Sequence, residues 1–181
     1  MADFRLFDPV ADAGIQGTTG ISGGGGSSDN FAKREIVKSS SVSANLGAAT
    51  IQSPTSIPTT STGTQVLSAS YTPIRIGNII KVTSSIQTAS GGARDIIASI
   101  FQGTTNIGAS ADRTQGGGSG FLTIETFGEF TVTSLVAVTI SSRVALDATQ
   151  TNFYVNGNNT GTTALGAANK TYLIIEEYDP S

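Results

Sequence analysis

Cysteine and histidine are both absent from the 181 residues, and charged side chains make up only 13% of them. Without cysteine there is no disulfide, no thiolate nucleophile and no zinc-thiolate centre; without histidine the commonest general base and metal ligand is missing too. Most hydrolytic chemistry is thereby excluded, and no cofactor is expected. Ten Lys and Arg against thirteen Asp and Glu leave a net charge of −3, which does not provide the basic face that a nucleic acid requires. The one local basic cluster, Lys33, Arg34 and Lys38, has Glu35 inside it and reads as a solvated face. No run approaches the ~20 apolar residues of a membrane helix, and residues 1–10 lack the basic start and apolar stretch of a secretory signal. The expectation is a chain made and kept in a cytoplasm until it is assembled, with neither nucleic acid nor membrane as partner.

The remaining composition is distributed unevenly. In the last two thirds, apolar and polar residues alternate strand after strand, most plainly at Phe130, Val132, Ser134, Val136, Val138 and Ile140. A period of two sustained that long predicts a half-buried β-strand, over residues 129–143. Further strands are predicted over 65–71, 74–86, 94–102, 120–127, 152–155 and 171–178, with Ile74, Ile76, Ile80, Val82 and Ile86 on one face of the second. Turn signals at 90–92, Gly103, 116–120 and Gly128 separate them. This pattern, without a convincing helix, is that of an all-β antiparallel β-sandwich, immunoglobulin-like or jelly-roll-like. Two strands are apolar on both faces: Ile96, Ala98 and Ile100 oppose Ile97 and Phe101, and Tyr172 and Ile174 oppose Leu173 and Ile175. Their second face needs a cover. Another copy of the chain is the simplest one, which makes Tyr172, Leu173, Ile174 and Ile175 the expected oligomer interface; the alternative is that the N-terminal segment folds back.

That segment divides the chain into an extended arm, residues 1–56, and a β-sandwich, residues 57–181, with Pro54 and Pro58 at the boundary. Phe4, Leu6, Phe7 and Val10, with Asp3, Asp8 and Asp12 among them, form a short acidic-apolar docking peptide. Glycine recurs from Gly14 to Gly26, the composition of a flexible linker. Between Asn30 and Leu46, Phe31, Ile36, Val37, Val42 and Leu46 allow one or two helical turns, against which Ser39, Ser40, Ser41 and Ser43 weigh. An arm with so little core of its own becomes ordered on a partner. A β domain carrying such an arm fits a component of an assembly better than an enzyme.

Motifs that would indicate chemistry do not hold together. The glycine run 23–26 has neither the lysine nor the strand-turn-helix context of a phosphate loop. Asp95, Asp112, Glu125, Glu129 and Asp147 are candidate glycosidase carboxylates. Glu125 shares a strand face with Phe121, Thr123 and Phe127, but nothing pairs it with a second acid. Asp147, Asn152, Asn156, Asn158 and Asn159 supply oxygen ligands without the spacing of a calcium loop, and Asn156 followed by Gly157 reads as a turn.

Three passages carry a resemblance: residues 76–82 (IGNIIKV), 100–108 (IFQGTTNIG) and 171–178 (TYLIIEEY). Together with the hydroxyl-rich composition, they make the region from Tyr71 to Asp179 similar to the trimeric jelly-roll domains at the C termini of bacteriophage fibre, spike and decoration proteins. The resemblance implies a homotrimer packed around a threefold axis, carried on a virion, with no enzymatic activity. It implies a capsid cement or decoration protein whose arm, through Phe4, Leu6, Phe7 and Val10, holds the major capsid protein or another virion protein. The alternative is a tail fibre or spike that binds host surface glycans through loops such as 109–120 and 156–166.

Overall fold

The structure, a computed structural model, describes residues 30–38, 44–46, 51–114, 121–158 and 171–180. Ten strands and no helix occur among them. In chain order they are β1 (Asn30–Lys38), β2 (Ala44–Asn45), β3 (Thr64–Tyr71), β4 (Ile79–Ser90), β5 (Asp95–Gln102), β6 (Thr105–Arg113), β7 (Leu122–Thr131), β8 (Val138–Leu146), β9 (Phe153–Val155) and β10 (Tyr172–Asp179).

They form an antiparallel β-sandwich. One sheet has the order β1-β10-β4-β7, with β9 taking the place beside β4 beyond the end of β10 and β2 pairing with β9; the other has the order β3-β8-β5-β6. The chain passes from one sheet to the other after β2, β3, β4, β6, β7 and β8, a jelly-roll-like alternation that leaves few sequential hairpins. Alternation within each strand sends one set of side chains between the sheets. Ile86, Ile96, Ala98, Ile124, Val144, Leu146, Phe153 and Val155 fill one end of the interior, and Ile80, Val82, Ile100, Ile140, Leu173 and Ile175 fill the other. One open side is closed by contact between β6 and β7. A Cβ added to Gly108 would lie 2.1 Å from the carbonyl oxygen of Phe127, so the two backbones touch where any side chain would keep them apart.

Three expectations need correction. Residues 129–143 are not one strand: β7 ends at Thr131 and β8 begins at Val138. Gly77 N donates to Val132 O and Val132 N to Asn78 O, which ties the chain to the turn before β4. The next residues then cross between the sheets, leaving Val136 75% exposed despite its place in the alternation. Residues 74–78, predicted as strand, are a turn with Gly77 at a φ of 93°, a region that favours glycine. Residues 30–38, where helical turns were weighed against the serines that follow, are strand, because pairing with β10 supplies the backbone partners that local propensity does not decide. Finally, β6 occupies residues 105–113, part of which was expected to be loop; its largely exposed edge position gives it no apolar stripe to read.

β1 and β2 lie within 1–56, the stretch expected to be an extended arm, and they pair with β10 and β9. The two-sided strand β5 is covered by the chain itself. Its outer residues Ile97 and Phe101, like Ala145 beside Ile97, are buried without a second molecule. Residues 51–63 return along this side: Gln52 N donates to Leu146 O at 2.9 Å, Arg143 donates to the carbonyls of Thr62 and Gly63, and Gln52 and Pro58 are buried.

Candidate interaction face

Among the described residues, none covers the outer side of the first sheet in this way. Its registers place residues of four strands in rows across that face. Arg34, Glu176, Lys81 and Glu129 stand opposite one another in turn, so the row runs plus, minus, plus, minus. The Arg34 guanidinium lies 3.3 Å from the Glu176 carboxylate. On one side of this row lie Phe31, Tyr178, Ile79 and Thr131, with the Phe31 and Tyr178 rings edge to face at 5.8 Å and Lys81 Nζ 4.7 Å from the Tyr178 ring centre. On the other side lie Ile174, Thr83 and Phe127. Beyond them come Tyr172, Ser85 and Glu125. Phe127 is 65% exposed and Phe31 55%, while Ile174, Tyr172 and Tyr178 are half-buried. The face is banded: an aromatic-rich row, the charged row, and a row of Ile174, Thr83 and Phe127.

This row pattern depends on a bulge. Pairing of β1 with β10 shifts between Phe31 and Lys33, so that Phe31 and Arg34 share the outer face, whereas Lys33 turns to the seam with the other sheet. There its Nζ sits 4.3 Å from the Tyr71 ring centre and donates to Thr72 O. An extra residue is what allows a strand to re-aim its side chains in this way.

At the same end, inside the seam, lies a fully buried carboxylate. Glu177 follows Leu173 and Ile175 on the inward phase of β10 and accepts hydrogen bonds from Tyr71 Oη (3.0 Å), Ile74 N (3.0 Å), Arg75 N (3.2 Å) and Asn78 Nδ2 (2.8 Å). A buried charge is tolerated only when donors saturate it. Burial first, and then the adjoining Glu177 carboxylate, hold the Tyr71 phenol above its ordinary range. The cluster clamps residues 74–78 as a turn, outside which Arg75 and Asp179 pair at 2.6 Å. Ile74 and Ile76 are left exposed. Next to it is a cleft of about 160 Å³ lined by Pro73, Phe130, Val132, Val136 and Val138 among others. The cluster acts as a staple: its carboxylate is occupied by fixed donors.

Of the expected interface residues, Leu173 and Ile175 belong to the core of the single chain, and Tyr172 and Ile174 lie on the uncovered face. Phe4, Leu6, Phe7 and Val10 lie outside the described residues. Glu125 and Glu129 are exposed on that same face, Asp95 is paired with Arg113 at 3.0 Å, and Asp112 is exposed beside it. Asn156 has a φ of 58°, and its Oδ1 accepts from Thr171 Oγ1, so it makes a turn. Among the described residues, no three Asp or Glu side chains gather as metal ligands. Sequence reading missed both the charged row and the Glu177 cluster. Glu177 was detectable as a carboxylate in the apolar phase of a strand; the row exists only through registers that no single strand reveals.

No family model matches the chain, and no curated protein does. Among solved structures it is similar to the C-terminal domain of EclA, named as a sugar-binding protein, with 15% identity over 84% of this chain and 96% of that one and a TM-score of 0.34.

Proposed function

We propose that this chain is a non-enzymatic assembly protein of a bacteriophage virion, a capsid cement or decoration protein that self-associates through the outer face of its first sheet. The observation that supports this is the contrast between the two sheets: on one outer face Ile97 and Phe101 are buried within the single chain, and on the other Phe31 and Phe127 are exposed and Tyr172, Ile174 and Tyr178 half-buried. Aromatic and aliphatic residues contiguous on one face mark interaction surfaces. Attachment to the virion falls to residues that precede β1, among them Phe4, Leu6, Phe7 and Val10. Deleting residues 1–28 leaves β1 whole, so the shortened chain should still fold and self-associate while no longer binding particles; undiminished particle binding would place the anchor in the sandwich.

Ile174→Asp tests the assembly half. A charge placed in this row should lower the sedimenting mass to that of the single chain with the cooperative melt retained. An unchanged oligomer would rule this face out.

A second reading, recognition of host surface glycans, is favoured by one observation. Phe127 offers an exposed ring between Glu125 and Glu129 on a strand face, a stacking platform flanked by hydrogen-bond acceptors. It requires that Phe127→Ala abolish retention on a polysaccharide column, and equal retention of both proteins would dismiss it.

A further inference from the structure

We infer that the partner on the uncovered face is a second copy of this chain, related by a twofold axis that runs along the strands between β10 and β4. The inference rests on the assembly reading above and specifies its symmetry. Across the face the charges read Arg34, Glu176, Lys81, Glu129. Rotation about that axis reverses the order of strands and keeps each row at its own height. Glu176 of one copy then meets Lys81 of the other, and Arg34 meets Glu129, twice each. An isologous interface requires this self-complementarity. The other in-plane twofold, along the row, sets each charge against itself and is repulsive throughout.

Neighbouring rows obey the same rule. Ile174 is set against Thr83 of the second copy, and Tyr178 against Ile79, so apolar surface covers apolar surface or small hydroxyls. Cross-strand pairing within one sheet accounts for opposite charges side by side. A row of four that alternates in this way also inverts about its midline, between β10 and β4, which is the condition for complementarity between two copies. The threefold packing implied by the resemblance is a heterologous contact, in which this face meets a different surface.

Charge reversal in the full-length chain tests the inference. Lys81→Glu alone faces Glu176 of its copy with like charge, and Glu176→Lys alone faces Lys81 with like charge. Each variant should self-associate on the order of a hundredfold more weakly than the natural chain, because two contacts change sign at once. Mixed in equal amounts, the two should pair with each other to within about tenfold of the natural affinity, since every cross-contact is again opposite in sign. Should either variant fail to fold by circular dichroism, the edge pair Arg34→Glu and Glu129→Arg asks the same question. Variants that self-associate normally, or a mixture that stays apart, overturn the twofold pairing while leaving assembly by this face intact. A natural chain that does not self-associate at all removes the assembly reading itself.

Discussion

Glu177 shows how one residue sets the form of one end of the molecule. Its carboxylate takes the amide hydrogens of Ile74 and Arg75, and those residues, expected in a strand, turn instead. Glu177→Gln replaces an acceptor with a group that is half donor and sets an NH₂ against fixed N–H and O–H donors. We expect a loss of about 3 kcal/mol, the scale of charge-assisted hydrogen bonds broken in a buried site, read as a lower urea midpoint. An unchanged midpoint would show that water replaces the clamp. Tyr71 adds a pH dependence. Its phenol is held above its ordinary value in the folded chain, so the folded state keeps this proton more tightly than the unfolded one. The corresponding stability is complete below about pH 10 and declines as pH rises beyond it toward the folded value. Urea midpoints measured on the alkaline side should fall less steeply in Tyr71→Phe, which has no proton to lose; parallel slopes would contradict the assignment.

At the level of the strand, the sequence was legible where one face was apolar and the other polar for the whole length of an element. β3 was read from that alternation, and β5 and β10 from short apolar runs between turn signals; the expected bounds of all three lie within a residue or two of those observed. The pattern misled where alternation continued through a crossing: Ser134 and Val136 keep the phase of Val132, yet they lie between the sheets' edges in solvent. β1 and β6 could not be read, since edge strands bury little; β1 also pairs with a strand remote in sequence, whereas β6 forms a hairpin with β5. Glycine at 108 was no turn signal. It sits within β6 because the backbone of β7 passes against it, an approach that closes the sandwich on that side. Gly108→Ala must push β6 and β7 apart and should destabilise by about 1–3 kcal/mol, the range for overpacking, with a lowered thermal midpoint. Wild-type stability in that variant would mean that the two strands separate freely.

For the whole molecule, the all-β sandwich followed from composition and period, whereas the arrangement of its two outer faces did not. Strand β5 looked as though it needed a foreign cover, yet Ile97 and Phe101 are buried within the single chain, and residues 51–63, rich in Ser, Thr and Pro with no strand pattern to announce their path, bond to the neighbouring β8. β10 also looked two-sided, and there the outer residues Tyr172 and Ile174 have no such cover among the described residues. Arg34, Glu176, Lys81 and Glu129 come from strands far apart in the chain, so their row depended on strand order and on the bulge near Lys33. The proposed assembly rests on this asymmetry between the faces. Sedimentation equilibrium of the full-length chain over a range of concentrations tests it most directly. The account predicts a mass at an integral multiple of 18.4 kDa that falls toward the single-chain value on dilution. A mass of 18.4 kDa at every concentration would contradict it.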